Sequence, residues 1–550
     1  EIMSSDWSSD VCSSDLESIR LTNFHVGTTC APTRAGLMSG KNCNRVGVWH
    51  TVMGRSLLDK DVVTLPELYN DNGYATAIFG KWHLGDNYPY RPQDRGFDEV
   101  FIHGGGGIGQ TPDVWNNDYF DDVYLHNGYK KKVEGYCTDV WFNAAMEFIE
   151  TNKEKPFFCY LSTNAPHGPY HVPQKYISMY DTIDEVPNPN FYGMITNIDE
   201  NLAVLEQKLE EWNLRDNTIF VFMTDNGTSS GASLDWRGMV TKGYNAGMRG
   251  KKGSEYEGGH RVPFFIRWPD KGIDKGMDVK MLTSYTDVMP TLADLCNLEA
   301  GKVDTIDGIS LFPYFSDTTS NFPERAIITD TQREELPEKW KNSSVMTQRW
   351  RLIRGYELYD MERDSGQKRN VAGYYPSVVR QLRNVYNAWW EEIEPGFNAY
   401  PEIILGGDKT ADELTAHDWH TDDYLPPWNQ EQIRAGAEKN GFWVVDVAEA
   451  GDYEFRLHRW PVETAKALGD SLPPGDSISG GNPYKGGRSL DIVWAKIQYG
   501  EMMDSVTVFP DDTYARFVLS LTPGESKLQT WFREEDGTER GAFYVYVSKL

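Results

Sequence analysis

Six cysteines in 550 residues are too few and too scattered to frame a disulfide-stapled domain. Positive charge is also short: 54 Lys and Arg stand against 82 Asp and Glu, a net charge of −28. A surface of that sign repels phosphate backbones and anionic lipid, so neither nucleic acid nor a membrane surface is expected as a partner. No apolar run is long enough to cross a bilayer, and no signal peptide is visible. The glycine run at residues 104–107 lacks the Lys-Ser/Thr of a phosphate-binding loop and reads as a flexible connection. No two aspartates are adjacent anywhere before Cys30.

The first 16 residues, EIMSSDWSSDVCSSDL, repeat Ser-Ser-Asp with no periodicity, and residues 10–16 back-translate into a common sequencing-adapter string. They read as an assembly artefact. On that reading Cys12 drops out, the lack of a signal peptide says nothing about location, and the chain proper starts at Glu17, truncated at its N-terminus. Its length suggests two or three domains.

Chemistry concentrates in four stretches. The first, from Thr28 to Gly40, predicts a short helix: Thr28 or Thr29 can cap it, Pro32 suits the first turn, and Gly40 suits a left-handed exit. Cys30 then sits at the positive end of the helix dipole, a position equally open to a buried structural thiol. In the second, an apolar run of strand length feeds Gly80-Lys81-Trp82-His83-Leu84-Gly85. In the third, residues 156–162 run as a buried strand into Asn164, Pro166 and His167; after a helix near residues 192–212, residues 218–223 do the same into Asp225-Asn226-Gly227. The fourth is a glycine-rich loop, residues 247–263, which holds Lys251 and Lys252. Three apolar strands alternating with helices predict an α/β fold with a mostly parallel central sheet covered on both faces. The reactive residues gather at the strand ends, where such sheets place their sites.

The spacing Cys30-x-Pro32-Thr33-Arg34 followed by Met38-Ser39-Gly40 resembles the first signature of the type I, formylglycine-dependent sulfatases of the alkaline phosphatase superfamily. The GKWHLG block at residues 80–85 resembles their second signature. KGxxYEGGxRVP, beginning at Lys252, is similar to a further block, and the likeness runs over roughly residues 17–394. It implies an arylsulfatase-like hydrolase in which Cys30 is oxidised to formylglycine by a dedicated maturase. One hydroxyl of the hydrated aldehyde then attacks sulfur, and the other collapses the hemiacetal and expels sulfate. Residue by residue, it implies that Arg34 holds the hydrate, Lys81 and Lys252 (rather than Lys251) clamp the sulfuryl oxygens, His83 is the base and His167 the acid for the leaving alcohol. Asp225 and Asn226, with the modified Cys30, would hold a divalent cation, calcium ahead of magnesium. The adjacent acidic residues with which the family completes that site are missing here. His260 stands where an apolar residue is usual and takes no role. A sulfated polysaccharide is the expected substrate, an aryl sulfate a simpler one, and the periplasm or the outside of the cell the expected location. Two alternatives stand beside this reading: a phosphonate or phosphate ester hydrolase of the same superfamily, and a non-catalytic glycan-binding protein.

The domains read as a catalytic α/β unit over residues 17–324, a small α+β subdomain over 325–395, and a linker with an appended β-sandwich over 396–550. Seven short strands between residues 442 and 547, set off by Gly, Pro and Asp turns, argue the sandwich, and packing on the catalytic unit is its default role. The connector at residues 415–427 holds His417, Trp419 and His420, placed to reach back toward the cleft but with no third ligand spaced for a metal. Residues 115–124 suit either a sugar pocket or a solvated loop.

Overall fold

The computed structural model describes residues 17–550 apart from 302, 304, 316–321, 409, 410, 422 and 423. Residues 1–16, read from the sequence as an assembly artefact, lie outside the described residues. The predicted helix spans Cys30–Ser39, and all ten of its residues are buried. Thr29 takes the N-cap position but its hydroxyl accepts no capping hydrogen bond, which corrects the sequence expectation; Gly40 leaves the helix at φ +67° with its N–H on the Gly36 carbonyl. Gly36 is there for contact, since a Cβ on it would lie 1.8 Å from the Tyr285 ring.

The α/β class holds, with sheets of mixed orientation. In a five-stranded sheet, Ala75–Lys81 lies between Glu99–His103 and Phe157–Ser162, parallel to both, and Val123–His126 and Tyr129–Lys132 extend the edge antiparallel. In a four-stranded sheet, Ile19–Leu21 runs parallel to Met277–Val279 and antiparallel to Phe264–Arg267, which pairs antiparallel with Phe220–Met223. The two apolar strands expected in one central sheet, Phe157–Ser162 and Phe220–Met223, lie in different sheets and do not pair. Each is a half-buried edge, and together they line a cavity of about 1800 Å³. Strands this apolar on both faces are normally interior ones. The cavity ends at Arg34, Lys81, His167, Asp225 and Lys252.

The next unit is an antiparallel sheet of Ile327–Asp330, Ser343–Met346, Trp350–Ile353 and Glu357–Asp360. The helix Pro376–Ile393 covers it, placing Leu382, Tyr386 and Trp390 against Val345, Leu352 and Leu358. Beyond it, two sheets share one core. One is ordered Ile403–Leu405, Phe442–Val447, Gly524–Glu534, Ile492–Tyr499, Met502–Thr507, and the other Asp412–Thr415, Tyr544–Lys549, Gly451–His458, Ala515–Leu521. The strands 403–405 and 412–415, in what read as linker, are additions to the expected seven. Leu57, Tyr90 and Trp115 of the preceding part of the chain complete the same core, so the sandwich is packed onto the α/β unit.

Candidate active site

Cys30 is 3% exposed at the first turn of its helix. Burial by itself would push the thiol up, but Lys81, His83 and Lys252 together outweigh it and hold Cys30 well below its ordinary range. One turn on, Arg34 is the organising side chain. Its Nε and Nη2 donate to Asp225 Oδ2 at 3.1 and 3.0 Å, and its Nη1 donates to the Lys81 carbonyl at 2.7 Å and to Ser162 Oγ at 3.2 Å. One guanidinium thus ties the Cys30 helix to the C-terminal ends of three strands. Asp225 is held well below the carboxylate range: burial opposes this, and Arg34, Lys81 and Lys252 override it. Lys81 is 2% exposed, and burial lowers its pKa to about 8, with Cys30 and Asp225 pulling it up and Arg34 and Lys252 down. Lys252 shares the cavity with Arg34, Lys81, His167 and Asp225 and contributes charge to Cys30 and His167; Lys251 is not among the cavity residues.

Two histidines flank this cluster with their tautomers fixed by backbone. His83 has φ +65°, and its Nε2 lies 2.8 Å from the Thr51 carbonyl. A carbonyl only accepts, so Nε2 carries the proton. The buried Nδ1 keeps its lone pair and has no hydrogen-bond partner, and the His83 ring stands close enough to Cys30 to lower the thiol pKa. In His167 it is Nδ1 that donates, to the Gly168 carbonyl at 2.7 Å. Burial first, then Lys252 and Lys81, keep His167 neutral. The glycine run between them is not a flexible loop, as the sequence suggested, but buried filling: a Cβ on Gly106 would lie 2.1 Å from His83 Cε1, and one on Gly107 3.0 Å from His167 Nδ1. Lack of side chains is what lets both rings approach.

The expected cation site offers two side-chain donors, Asp225 and Asn226. Asn226 Nδ2 donates to the Gly227 carbonyl at 2.9 Å, which turns Oδ1 the other way, buried and without a hydrogen-bond partner. An orphaned oxygen beside the Asp225 carboxylate suits a hard cation. Two side-chain oxygens do not make a calcium site, which takes about six to eight ligands. The described residues therefore begin that site without completing it. Elsewhere, His25, Glu257 and His260 bring donor atoms within 4.8 Å of one another. Their atoms are already used: His25 Nδ1 pairs with His260 Nδ1 at 2.9 Å, His25 Nε2 with Asn23, His260 Nε2 with the Glu255 carbonyl, and Glu257 with Arg351 at 2.6 Å. This group reads as a satisfied buried network.

The structure thus brings Cys30, Arg34, Lys81, His83, His167, Asp225, Asn226 and Lys252 to one place. Residues missed from sequence are Ser162, which accepts from Arg34, and Gly106 and Gly107. Their only signal was position, at a strand end and in a glycine run. Within residues 115–124 the polar Asn116 and Asp121 are exposed while the aromatic side chains turn inward. Trp115 packs on Trp460 at 5.6 Å, and Tyr119 and Tyr124 are fully buried.

A family model described as Sulfatase matches residues 13–298, and one described as N-sulphoglucosamine sulphohydrolase, C-terminal, matches residues 251–390. Among curated proteins, the uncharacterized sulfatase YdeN of Escherichia coli K12 is 25% identical over 444 residues, 69% of this chain and 75% of that protein. The N-acetylgalactosamine-6-O-sulfatase of Bacteroides thetaiotaomicron is 25% identical over 455 residues, 66% of this chain and 85% of its own. Among solved structures, Ps i-CgsB in complex with k-i-k-neocarrahexaose superposes with a TM-score of 0.61 at 26% identity, covering 69% of this chain and 86% of that one. With just over half of its residues inside the first match, the chain belongs to the sulfatase family of sulfuric ester hydrolases.

Proposed function

We propose that this chain removes sulfate from a sulfated carbohydrate, using a formylglycine made from Cys30. The observation that carries the reading is charge: in a chain of net charge −28, Arg34, Lys81 and Lys252 converge on one cysteine at a helix N-terminus. Such a pocket selects an anion and disfavours the neutral carbonyl substrates of a thiol hydrolase. The carbohydrate is suggested by the names of relatives, one an N-acetylgalactosamine-6-O-sulfatase and one bound to a neocarrahexaose.

Formylglycine, once formed by a maturase, supplies a hydroxyl that attacks sulfur and a second that releases sulfate without an attacking water. The chain's own residues do the rest. Lys81 and Lys252 hold the sulfuryl oxygens and meet the charge that develops on them, where each fixed donor is commonly worth ~100-fold or more in rate. Arg34 holds residue 30 and the Asp225 carboxylate in register. His83 accepts a proton at Nδ1 from the hydroxyl on residue 30. The sulfate anion offsets Lys81 and Lys252, so His167 can carry a proton at Nε2 and pass it to the leaving alcohol oxygen. Asp225 and Asn226, with the modified residue 30, would hold a calcium ion, and no step here is routed through it. Work on extracellular or periplasmic glycan fits this chemistry.

The test is turnover of matched 4-nitrophenyl sulfate and phosphate esters, and of sulfated oligosaccharides, by protein co-expressed with maturases, alongside mass spectrometry of the peptide holding Cys30. Formylglycine and a preference for sulfate are expected, both lost in Cys30→Ala. Preference for the phosphate ester, or glycan binding with no turnover, would replace this reading with one of its two alternatives.

A further inference from the structure

His417 lies beyond residue 390, where the second family match ends, yet it reaches the catalytic cluster. It leaves the sandwich directly: the strand Asp412–Thr415 pairs with Tyr544–Lys549, and the next turn, Ala416–Asp418, buries His417 to 1% exposure. Its ring centroid is 6.1 Å from that of His83, tilted by 58°. Its Nδ1 lies 3.0 Å from Asp418 Oδ1, and its Nε2 is buried without a hydrogen-bond partner. Its carbonyl accepts from the N–H of Met53 at 2.9 Å, in the turn whose Thr51 carbonyl fixes the His83 tautomer.

We propose that His417 is a positioning residue for His83: its ring backs the His83 ring, its carbonyl fixes the 51–53 turn, and together they keep Nδ1 of His83 aimed at residue 30. The inference rests on the proposed role of His83 as base at that residue. The charged groups facing His417 agree with it. Burial disfavours an imidazolium, but Asp418 and then Asp86 outweigh that and raise the His417 pKa, with Cys30 adding to them. Asp86 belongs to the loop that carries His83, and its Oδ1 accepts from the Gly105 N–H at 2.9 Å in the glycine run that packs on the His83 ring. Burial and the nearby Asp418 raise Asp86 to about 6, while His417 counters both. Without the imidazolium, two carboxylates, Asp418 buried and Asp86 partly so, repel each other beside the loop that holds the base. His50, the other ring in this corner, stays neutral through burial and cannot replace it. The sandwich is thereby coupled to catalysis through His417.

The experiment uses the full chain, matured, with histidine-selective ¹⁵N labelling, the His83 signals being assigned by their loss in His83→Gln. The parent should show His83 in one tautomer, protonated at Nε2. In His417→Ala, His83 should become a mixture of tautomers, and kcat on an aryl sulfate should fall roughly 10- to 100-fold with KM within about twofold, part of what a positioned base contributes. His417→Gln keeps an N–H donor for Asp418 and most of the ring's length, and should recover part of kcat and of the single tautomer. A parental His83 spectrum in both variants overturns the proposal, as does a fall in kcat that only follows a fall in Tm. If the parent turns over no sulfate ester, the sulfatase reading fails, and the tautomer spectra still decide whether His417 positions His83.

Discussion

Lys81→Met should stabilise this protein while removing its activity. Lys81 is almost wholly buried, and its pKa drops from the ordinary 10.5 to about 8. At about 1.4 kcal/mol for each pH unit, keeping that ammonium charged costs the fold on the order of 3 kcal/mol. Methionine fills a similar volume without a charge to bury. Part of the gain is returned, because Cys30 and Asp225 lose a cation. A net increase of about 1–3 kcal/mol is expected, read as a rise in apparent Tm of roughly 2 °C or more. The pH dependence separates this from a generic packing effect. Below pH 8 Lys81 is charged in both folded and unfolded chains, and its cost is fully present. Between about 8 and 10.5 the folded chain sheds the proton first, the unfolded chain binds more protons, and the stability of the parent rises with pH. The advantage of Lys81→Met should therefore be complete at pH 6.5 and fade toward pH 10. Thermal unfolding of both proteins across that range, with Cys30 unmodified, measures it. A methionine variant less stable than the parent at pH 6.5, or a difference that does not change with pH, would refute the reasoning.

Gly106→Ala places a Cβ 2.1 Å from the His83 ring and should lower kcat about 100-fold in a protein that still folds; steady-state kinetics with parental kcat would exclude His83 as the base. Arg34→Gln strands the Asp225 carboxylate and should cost about 3–5 kcal/mol at pH 7. Asp225 has a depressed pKa, so the stability it contributes is complete above the ordinary carboxylate range and declines as pH falls below that range toward the depressed pKa; the loss in Arg34→Gln should shrink below pH 4, which melts across pH 3–7 would show. Replacing residues 1–16 with the first strand of another sulfatase, one ending in two aspartates, should seat an apolar strand between Phe157–Ser162 and Phe220–Met223. That chimaera should gain Tm and calcium-dependent turnover; equal melting and equal calcium response in the two proteins would show that the cavity is not a strand site.

Local patterns were legible because local physics writes them. The helix that carries Cys30 follows from Pro32, a run of helix formers and Gly40; the sandwich strands follow from alternating apolar residues between turns; and the order of Lys81, His83, His167, Asp225 and Lys252 on strand ends and loops could be read from the sequence together with a family resemblance. What only the tertiary structure decided are meetings between distant segments, which no periodicity encodes. That Arg34 would bind both the carbonyl of Lys81 and the carboxylate of Asp225 depends on three strand ends arriving at one helix. That residues 104–107 would be buried rather than flexible depends on two imidazoles closing over them, and that Trp115 would pack on Trp460 depends on the sandwich docking there. His417 is the clearest case. The sequence placed its connector within reach of the cleft but gave it no partner there, and its nearness to His83, 334 positions earlier, exists only because one edge strand of the sandwich ends against the Cys30 cluster.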